Sequence, residues 1–184
     1  FPLSTRGKAS AVPEPGGDWI CGARTGARIR LHDEVPPDEV AELLRRTSQS
    51  PNRLRHVRDG RFLAWRFANP LARHFHFSVR HDRLQGYLLA HRTLTDRDDG
   101  PTPTTVLECE AESLPLWADL MDAARCQLPG NELLIWCRDV SAAQSQVLSN
   151  LGFSIQHPTG RLTADVDLPN LLMARLQVGR RAAL

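Results

Sequence analysis

The chain has 184 residues, a length that suits one domain with a substantial core and is short for two. Hydrophobic residues make up 41% and charged residues 24%, which excludes a disordered chain, and the net charge of +2 gives no support to a polyanion partner. No apolar run approaches the roughly 18 residues of a membrane span, so we expect no membrane partner.

The N-terminal segment, residues 1–18, is rich in proline and glycine and poor in large apolar residues. This composition predicts a linker or tail, followed by one domain over residues 19–184. The first residue is Phe1 and no apolar signal segment follows it, so we expect a piece of a longer chain with a further N-terminal domain as its partner.

The cysteines are far apart in the sequence: Cys21, Cys109, Cys126 and Cys137. This spacing is typical neither of a zinc site nor of a small disulfide scaffold. Free thiols of this kind favour a reducing, cytoplasmic location.

The first half of the chain predicts a strand over residues 27–31 and then two helices. Pro37 opens the first helix, and the second is RFLAWRFANP, residues 61–70, which stops at its Asn-Pro pair. The segment HFHFSVRH, residues 74–81, alternates aromatic and polar side chains and predicts a strand. A turn at residues 81–83 and the run LQGYLLAHRTL complete a β-hairpin.

The second half alternates strands and helices. A surface loop over residues 95–104 precedes a strand over 105–110, and Ser113 is typical of a helix N-cap. A strand over 132–137 and a helix over 141–151 follow. Gly152 suits the left-handed turn that ends a helix, so strands are predicted from residue 153 and over 170–178.

This order of elements, with Leu151-Gly152-Phe153 closing the last helix, resembles the GNAT superfamily of acyl-CoA-dependent N-acyltransferases. The RFLAWRFANP helix, followed by a hairpin containing Leu84-Gln85-Gly86-Tyr87, is similar to a bacterial branch of that superfamily. The resemblance covers roughly residues 27–178. It implies an α/β (α+β) domain with a mixed, mainly antiparallel sheet and helices on both faces. It also implies acetyl-CoA or another acyl-CoA as donor and a small-molecule amine as acceptor.

Two features depart from the superfamily pattern. The loop that holds the donor pyrophosphate usually reads Gln/Arg-x-x-Gly-x-Gly/Ala, whereas the equivalent stretch here, ECEAESLPLW, has no glycine. The position where the family often has a tyrosine as general acid is Leu148, which has no proton to give. Two functions therefore stay open, N-acyltransfer and a catalytically inactive domain that binds a ligand or supports another module.

The resemblance also implies a site at the end of the central strand. Glu108 and Glu110 share one face of that strand and are candidates for the general base that deprotonates the amine, while the alternative interpretation places them in solvent. Residues implied in binding the donor are Glu108, Cys109, Glu110, Ser113, Leu114 and Arg138. Trp65 and His76 are candidates for contacting the acceptor.

Two further functions, metal binding and nucleic-acid binding, are suggested by histidine and arginine residues that could equally be ordinary surface residues. His74 and His76 lie on one strand face, but no third ligand is recognisable, so no metal is expected. The segment RLRHVRDGR, residues 53–61, is the densest basic run and raises nucleic-acid binding as a third alternative, which the small net charge argues against.

Overall fold

The structure is a computed structural model that describes residues 19–32, 36–47, 58–68, 70, 72–93, 103–128, 132–136, 140–156 and 173–177. The predicted linker of residues 1–18 lies outside the described residues. None of the described helices is long and apolar enough to cross a membrane.

The strands are β1 (Ile20–Cys21), β2 (Arg28–His32), β3 (Ala72–Arg80), β4 (Leu84–Thr93), β5 (Thr104–Ala111), β6 (Glu132–Trp136), β7 (Ser154–Gln156) and β8 (Met173–Gln177). The helices are α1 (Pro37–Thr47), α2 (Gly60–Phe67), α3 (Leu114–Gln127) and α4 (Ala142–Asn150). Their order along the chain agrees with the predicted order except for the short β1. A strand of two residues is too short to carry an alternating pattern, so the sequence did not predict it.

The strands form one sheet in the order β1-β2-β3-β4-β5-β6-β8-β7. Within the described residues β5 and β6 pair in parallel, and the other neighbouring strands pair antiparallel. β8, the last of the described strands, inserts between β6 and β7. The prediction of a mixed, mainly antiparallel sheet is therefore confirmed.

Both faces of the sheet are covered by helices, as expected. On one face α3 and α4 pack on β2–β6 in a core that includes Phe77, Leu120 and Leu148. On the other face α1 and α2 pack on β4 in a second core that includes Leu43 and Leu63. We call the second side the α1–α2 face.

The stretch AQSQVLSNLGFSIQ ends its helix in a Schellman motif. The amide of Phe153 donates to the carbonyl of Leu148 (2.9 Å) and that of Gly152 donates to Ser149 (3.0 Å). Gly152 has φ of 90°, in the left-handed region that favours glycine. Leu148 and Phe153 are both buried in the same core, so the motif fixes where β7 begins.

Replacing Gly152 with alanine is expected to destabilise the protein by about 1 kcal/mol, since a Cβ is strained at positive φ. Chemical denaturation measures the free energy of unfolding. Ser149→Ala, at an exposed position of the same helix turn, is the control and is expected to change stability little. Equal losses in both variants would show that the left-handed turn does not matter.

The turn between β1 and β2 is tied to α3 by a buried carboxylate. Asp119 accepts hydrogen bonds from the amides of Arg24 (3.0 Å) and Thr25 (2.9 Å) and from the Thr25 hydroxyl (2.6 Å). Its side chain is fully buried, and a Cβ on Gly22 would collide with its Oδ2. Burial alone would raise the pKa of Asp119, but these hydrogen bonds outweigh it and lower the pKa. The ionised carboxylate thus anchors the edge of the sheet.

Candidate active site

β5 carries one extra residue opposite β4. Leu89 pairs with Glu108 and Ala90 pairs with Val106, so Leu107 is a β-bulge without its own partner on β4. Directly paired residues share a face of the sheet, which puts Glu108 beside Leu89 on the α1–α2 face. The bulge brings Leu107 to the same face, where it packs against the second core.

Beyond the bulge, β5 leaves β6. The described pairing of these two strands ends at Val106 and Ile135, while β5 continues to Ala111. Over its last five residues, 107–111, the edge of β5 that faces away from β4 is therefore not paired with β6 within the described part of the chain. We call the space along this edge the β5–β6 opening.

The hydrogen-bond pattern shows which backbone groups face the opening. The amide of Glu112 donates to the carbonyl of Gln85 (2.9 Å), and hydrogen-bonded pairs alternate along an antiparallel ladder. The backbones of Glu110 and Glu108 are therefore directed to β4, and that of Cys109 is directed to the opening. The indole Nε1 of Trp117 donates to the Cys109 carbonyl at 2.9 Å.

A polar layer crosses the sheet on the α1–α2 face. In one row across β3, β4 and β5, His76 pairs with Leu89, which pairs with Glu108. In the next row Ser78 pairs with Tyr87, which pairs with Glu110. His76 is buried, with 3% of its surface exposed. Helix α2 covers this layer, with Phe67 edge-on to His76 at 5.5 Å between ring centroids.

Glu108 is the most buried acidic group of this layer. Its side chain is 4% exposed, so the alternative that it points to solvent is wrong for Glu108. Arg66 of α2 lies 3.6 Å from Oε1, and Arg58, just before α2, lies 3.9 Å from Oε2. Burial raises the pKa of Glu108, and the two guanidinium groups offset part of that rise. A carboxylate with a raised pKa and charged neighbours is typical of proton-transfer sites.

Three neighbouring titratable side chains have pKa values that favour their neutral forms. Burial lowers the pKa of His74, and so do its neighbours His91 and Arg66. Burial and Arg66 lower the pKa of His91 in the same way. Burial raises the pKa of Tyr87 far above its usual value, with Glu108 adding to the rise. These three groups therefore add no charge beside Glu108 and Arg66 near neutral pH.

The connection from β5 to α3 is short. Only Glu112 and Ser113 separate the two elements, where a glycine loop would hold a pyrophosphate. Ser113 caps the helix by accepting from the amide of Leu116 at 3.4 Å, and Pro115 has no amide hydrogen. Leu114 is exposed. Glu112 is held by Arg46 (3.3 Å) and Arg83 (3.1 Å), which neutralises its charge.

The other residues predicted for the site are placed as follows. Trp65 is 73% exposed and its ring is tilted against that of Phe62 at 6.0 Å between centroids, while its neighbour Arg66 reaches Glu108. Arg138 lies outside the described residues. Burial raises the pKa of the Cys109 thiol, so that residue contributes its backbone and not a thiolate. The roles of these residues stay predictions.

Sequence reasoning missed Arg66, and it treated Arg58 only as part of a basic run. A signal for Arg66 was available, because it lies three residues after the buried Leu63 and so shares the inner side of α2. No local sequence pattern predicts the contact of Arg58 with Glu108, because the two residues are fifty positions apart in the sequence. Within the described part of the chain, no group of three or more His, Cys, Asp or Glu side chains is arranged to hold a metal ion.

No protein-family model matches the sequence, and no curated protein matches it. Solved structures do match. A candidate acetyltransferase from Salmonella typhimurium, with its cofactor acetyl-CoA, has a TM-score of 0.57 at 16% identity, over 87% of this chain and 98% of that one. A GNAT-family acetyltransferase from Listeria monocytogenes has a TM-score of 0.54 at 12% identity, over 87% and 99%. The ribosomal-protein-S18-alanine N-acetyltransferase from Escherichia coli has a TM-score of 0.52 at 12% identity, over 85% and 99%.

These similarities span nearly the whole of each matched structure at low identity, so they establish the fold and not the activity. The chain has the GNAT fold.

Proposed function

We propose that this domain transfers an acyl group from an acyl-CoA to an amine. The observation that carries the proposal is Glu108, a buried carboxylate with a raised pKa that lies next to the bulge of β5. The solved structures with the same fold support acyl transfer at this general level, since they are acetyltransferases and one holds acetyl-CoA. The acceptor of one of them is the alanine of a ribosomal protein.

The β5–β6 opening fits the pantetheine arm of such a donor. The arm carries amides, and Cys109 directs its backbone N–H and carbonyl to the opening, although the carbonyl already accepts from Trp117. Among the described residues there is no glycine loop whose backbone amides could bind the diphosphate of the donor, because the β5–α3 connection has two residues and no glycine. We therefore expect most of the binding free energy of the donor to come from contacts with its acyl-pantetheine part.

The proposed role of the chain's own groups follows from their positions. The donor supplies a thioester carbonyl. Glu108 accepts the proton of the acceptor ammonium and so makes the nitrogen nucleophilic. The nitrogen attacks the thioester carbonyl, the amide C–N bond forms as the C–S bond breaks, and coenzyme A leaves as a thiolate that takes the second proton of the nitrogen directly or through water. Glu108 works better here than Glu110, because its burial raises the pKa toward the pH at which an amine must be deprotonated. Burial of the layer under α2 keeps bulk water from the reacting groups.

A second candidate is a catalytically inactive domain that binds a ligand. The short β5–α3 connection favours it, since this is the part of the fold that normally holds the donor diphosphate. Acyl transfer to an amine separates the two candidates: an inactive domain would bind acetyl-CoA or another ligand without forming an acylated amine.

Calorimetric titration tests the donor site. We expect acetyl-CoA and acetyl-pantetheine, which lacks the nucleotide and diphosphate, to bind with affinities that agree within about tenfold, because the diphosphate adds little. ADP alone is the control and is expected not to bind. A much tighter affinity for acetyl-CoA would contradict the assignment of affinity to the pantetheine part. Absence of binding by both thioesters at millimolar concentration would contradict acyl transfer by this domain.

A further inference from the structure

Two buried polar atoms of opposite kind lie side by side on the α1–α2 face without a hydrogen bond. Oε2 of Glu108 is an acceptor and Nε of Arg66 is a donor, and neither has a hydrogen-bond partner among the described residues. Their mutual contacts are long, with Arg66 Nε 3.6 Å from Glu108 Oε1. Buried groups of this kind are rare unless a water or a ligand satisfies them.

The charges around these atoms do not balance. Among the described ion pairs, Arg58 and Arg66 both face the carboxylate of Glu108, so at this carboxylate there is a surplus of one positive charge. The nearby His74 and His91 do not change this surplus, because burial lowers the pKa of each and favours the neutral ring. A simple ammonium ion bound at Glu108 would raise the surplus to two positive charges and would be repelled by both guanidinium groups.

The two arginines are also open to the outside. Arg58 is 37% and Arg66 34% exposed at the side chain, while Glu108 beneath them is 4% exposed. A ligand from solvent therefore contacts the exposed parts of the two arginine side chains, whereas Glu108 and the Nε atom of Arg66 lie buried beneath them. Guanidinium groups bind planar carboxylates through paired hydrogen bonds.

We propose that the acceptor is a free α-amino acid, held by its carboxylate at Arg66 and Arg58 and by its ammonium at Glu108. Such a ligand supplies a donor for Glu108 Oε2 on its α-carbon and an acceptor for Arg66 Nε on the adjacent carboxyl carbon. Because its two charges cancel, it adds no net positive charge to the site, whereas a simple ammonium ion does. The N-terminus of a peptide has the amine but an uncharged amide in place of the carboxylate. This inference rests on the proposed function, in which the acceptor is an amine.

Calorimetry on the whole chain, without any acyl donor, tests it directly. The probes are the twenty common L-α-amino acids, the carboxamide of each, which keeps the amine and side chain and removes the negative charge, and the N-acetyl derivative of each. We expect at least one amino acid to bind, with its carboxamide and its N-acetyl derivative each bound about tenfold more weakly or worse. A carboxamide that binds as tightly as its amino acid would overturn the inference, and so would failure of all amino acids to bind at 10 mM, roughly a hundredfold above a Kd of ~0.1 mM.

Matched arginine variants assign the effect to the site. In Arg66→Gln, and independently in Arg58→Gln, the affinities for the amino acid and its carboxamide are expected to converge. Arg73→Gln, at an exposed arginine of β3 that lies over the Phe75 ring, is expected to keep the discrimination. If both site variants keep the full discrimination, the carboxylate is bound elsewhere and the inference fails.

The outcomes separate this inference from the proposed function. Acyl transfer to amino acid carboxamides at the same rate as to amino acids would leave the transferase proposal intact and overturn the choice of acceptor. Tight binding of an amino acid without any acyl transfer would support the amino acid site and contradict the transferase proposal.

Discussion

Replacing Glu108 with glutamine is expected to lower kcat/KM for acyl transfer by about 10²–10⁴-fold, the usual contribution of a general base. Glutamine keeps the size of the side chain but takes no proton from the acceptor. The effect should fall on kcat more than on the KM of the donor, because Glu108 lies on the α1–α2 face and its backbone is directed to β4 and away from the β5–β6 opening. Steady-state kinetics at saturating donor measures the two constants.

The pH profile gives this experiment its internal check. Burial raises the pKa of Glu108, so the wild-type rate should rise with pH through a range above that of an ordinary carboxyl group, as the base becomes ionised. This limb should disappear in Glu108→Gln. Glu110→Gln, two residues along the same strand face, is the matched control and is expected to keep the limb. Activity of Glu108→Gln within about threefold of wild type would place the base elsewhere.

Replacing Asp119 with alanine is expected to destabilise the protein by about 3 kcal/mol. The change leaves the amides of Arg24 and Thr25 and the Thr25 hydroxyl without their acceptor. Thermal or denaturant unfolding measures the loss. Asp122→Asn is the control on the same helix: its carboxylate is partly exposed and pairs with Arg125, so the expected loss is below about 1 kcal/mol.

The contribution of Asp119 should depend on pH with a defined sign. Its pKa is lowered in the folded protein from an ordinary value of 3.8, so the stabilisation is complete above pH 3.8 and is lost as the pH falls through the folded pKa. Wild type and Asp119→Asn should therefore differ most near neutral pH and converge in acid. A difference that does not change between pH 7 and pH 2 would show that the charge of Asp119 does not contribute.

Local chemistry predicted most of the fold. The N-cap at Ser113, the left-handed glycine at 152 and the alternation of Phe75 and Phe77 each depend on a few adjacent residues, and the structure has all of them. The sequence also showed that the stretch between β5 and α3 has no glycine and so differs from the usual phosphate-binding loop. The element order then limits the topology to few choices.

The candidate site was predicted only in part, because its chemistry depends on contacts between distant segments. The sequence offered both Glu110 and Glu108 as the base, with Glu110 as the first candidate, and the bulge at Leu107 beside Glu108 is visible only in the register against β4. Burial of Glu108 also depends on where α2 lies over the sheet. The pairing of a strand-end carboxylate with Arg58 and Arg66 has no local signature, since helix and strand periodicity describe faces and not partners.

The bond from the Trp117 indole to the Cys109 carbonyl has a consequence for the energetics of ligand entry. It ties α3 to the free edge of β5 with a side chain of the protein itself, so the separation of β5 from β6 is preorganised. Preorganised sites lose less conformational entropy when they bind. The same hydrogen bond restrains movement of α3 relative to β5, so we expect the shape of the β5–β6 opening to contribute to the selectivity for ligands.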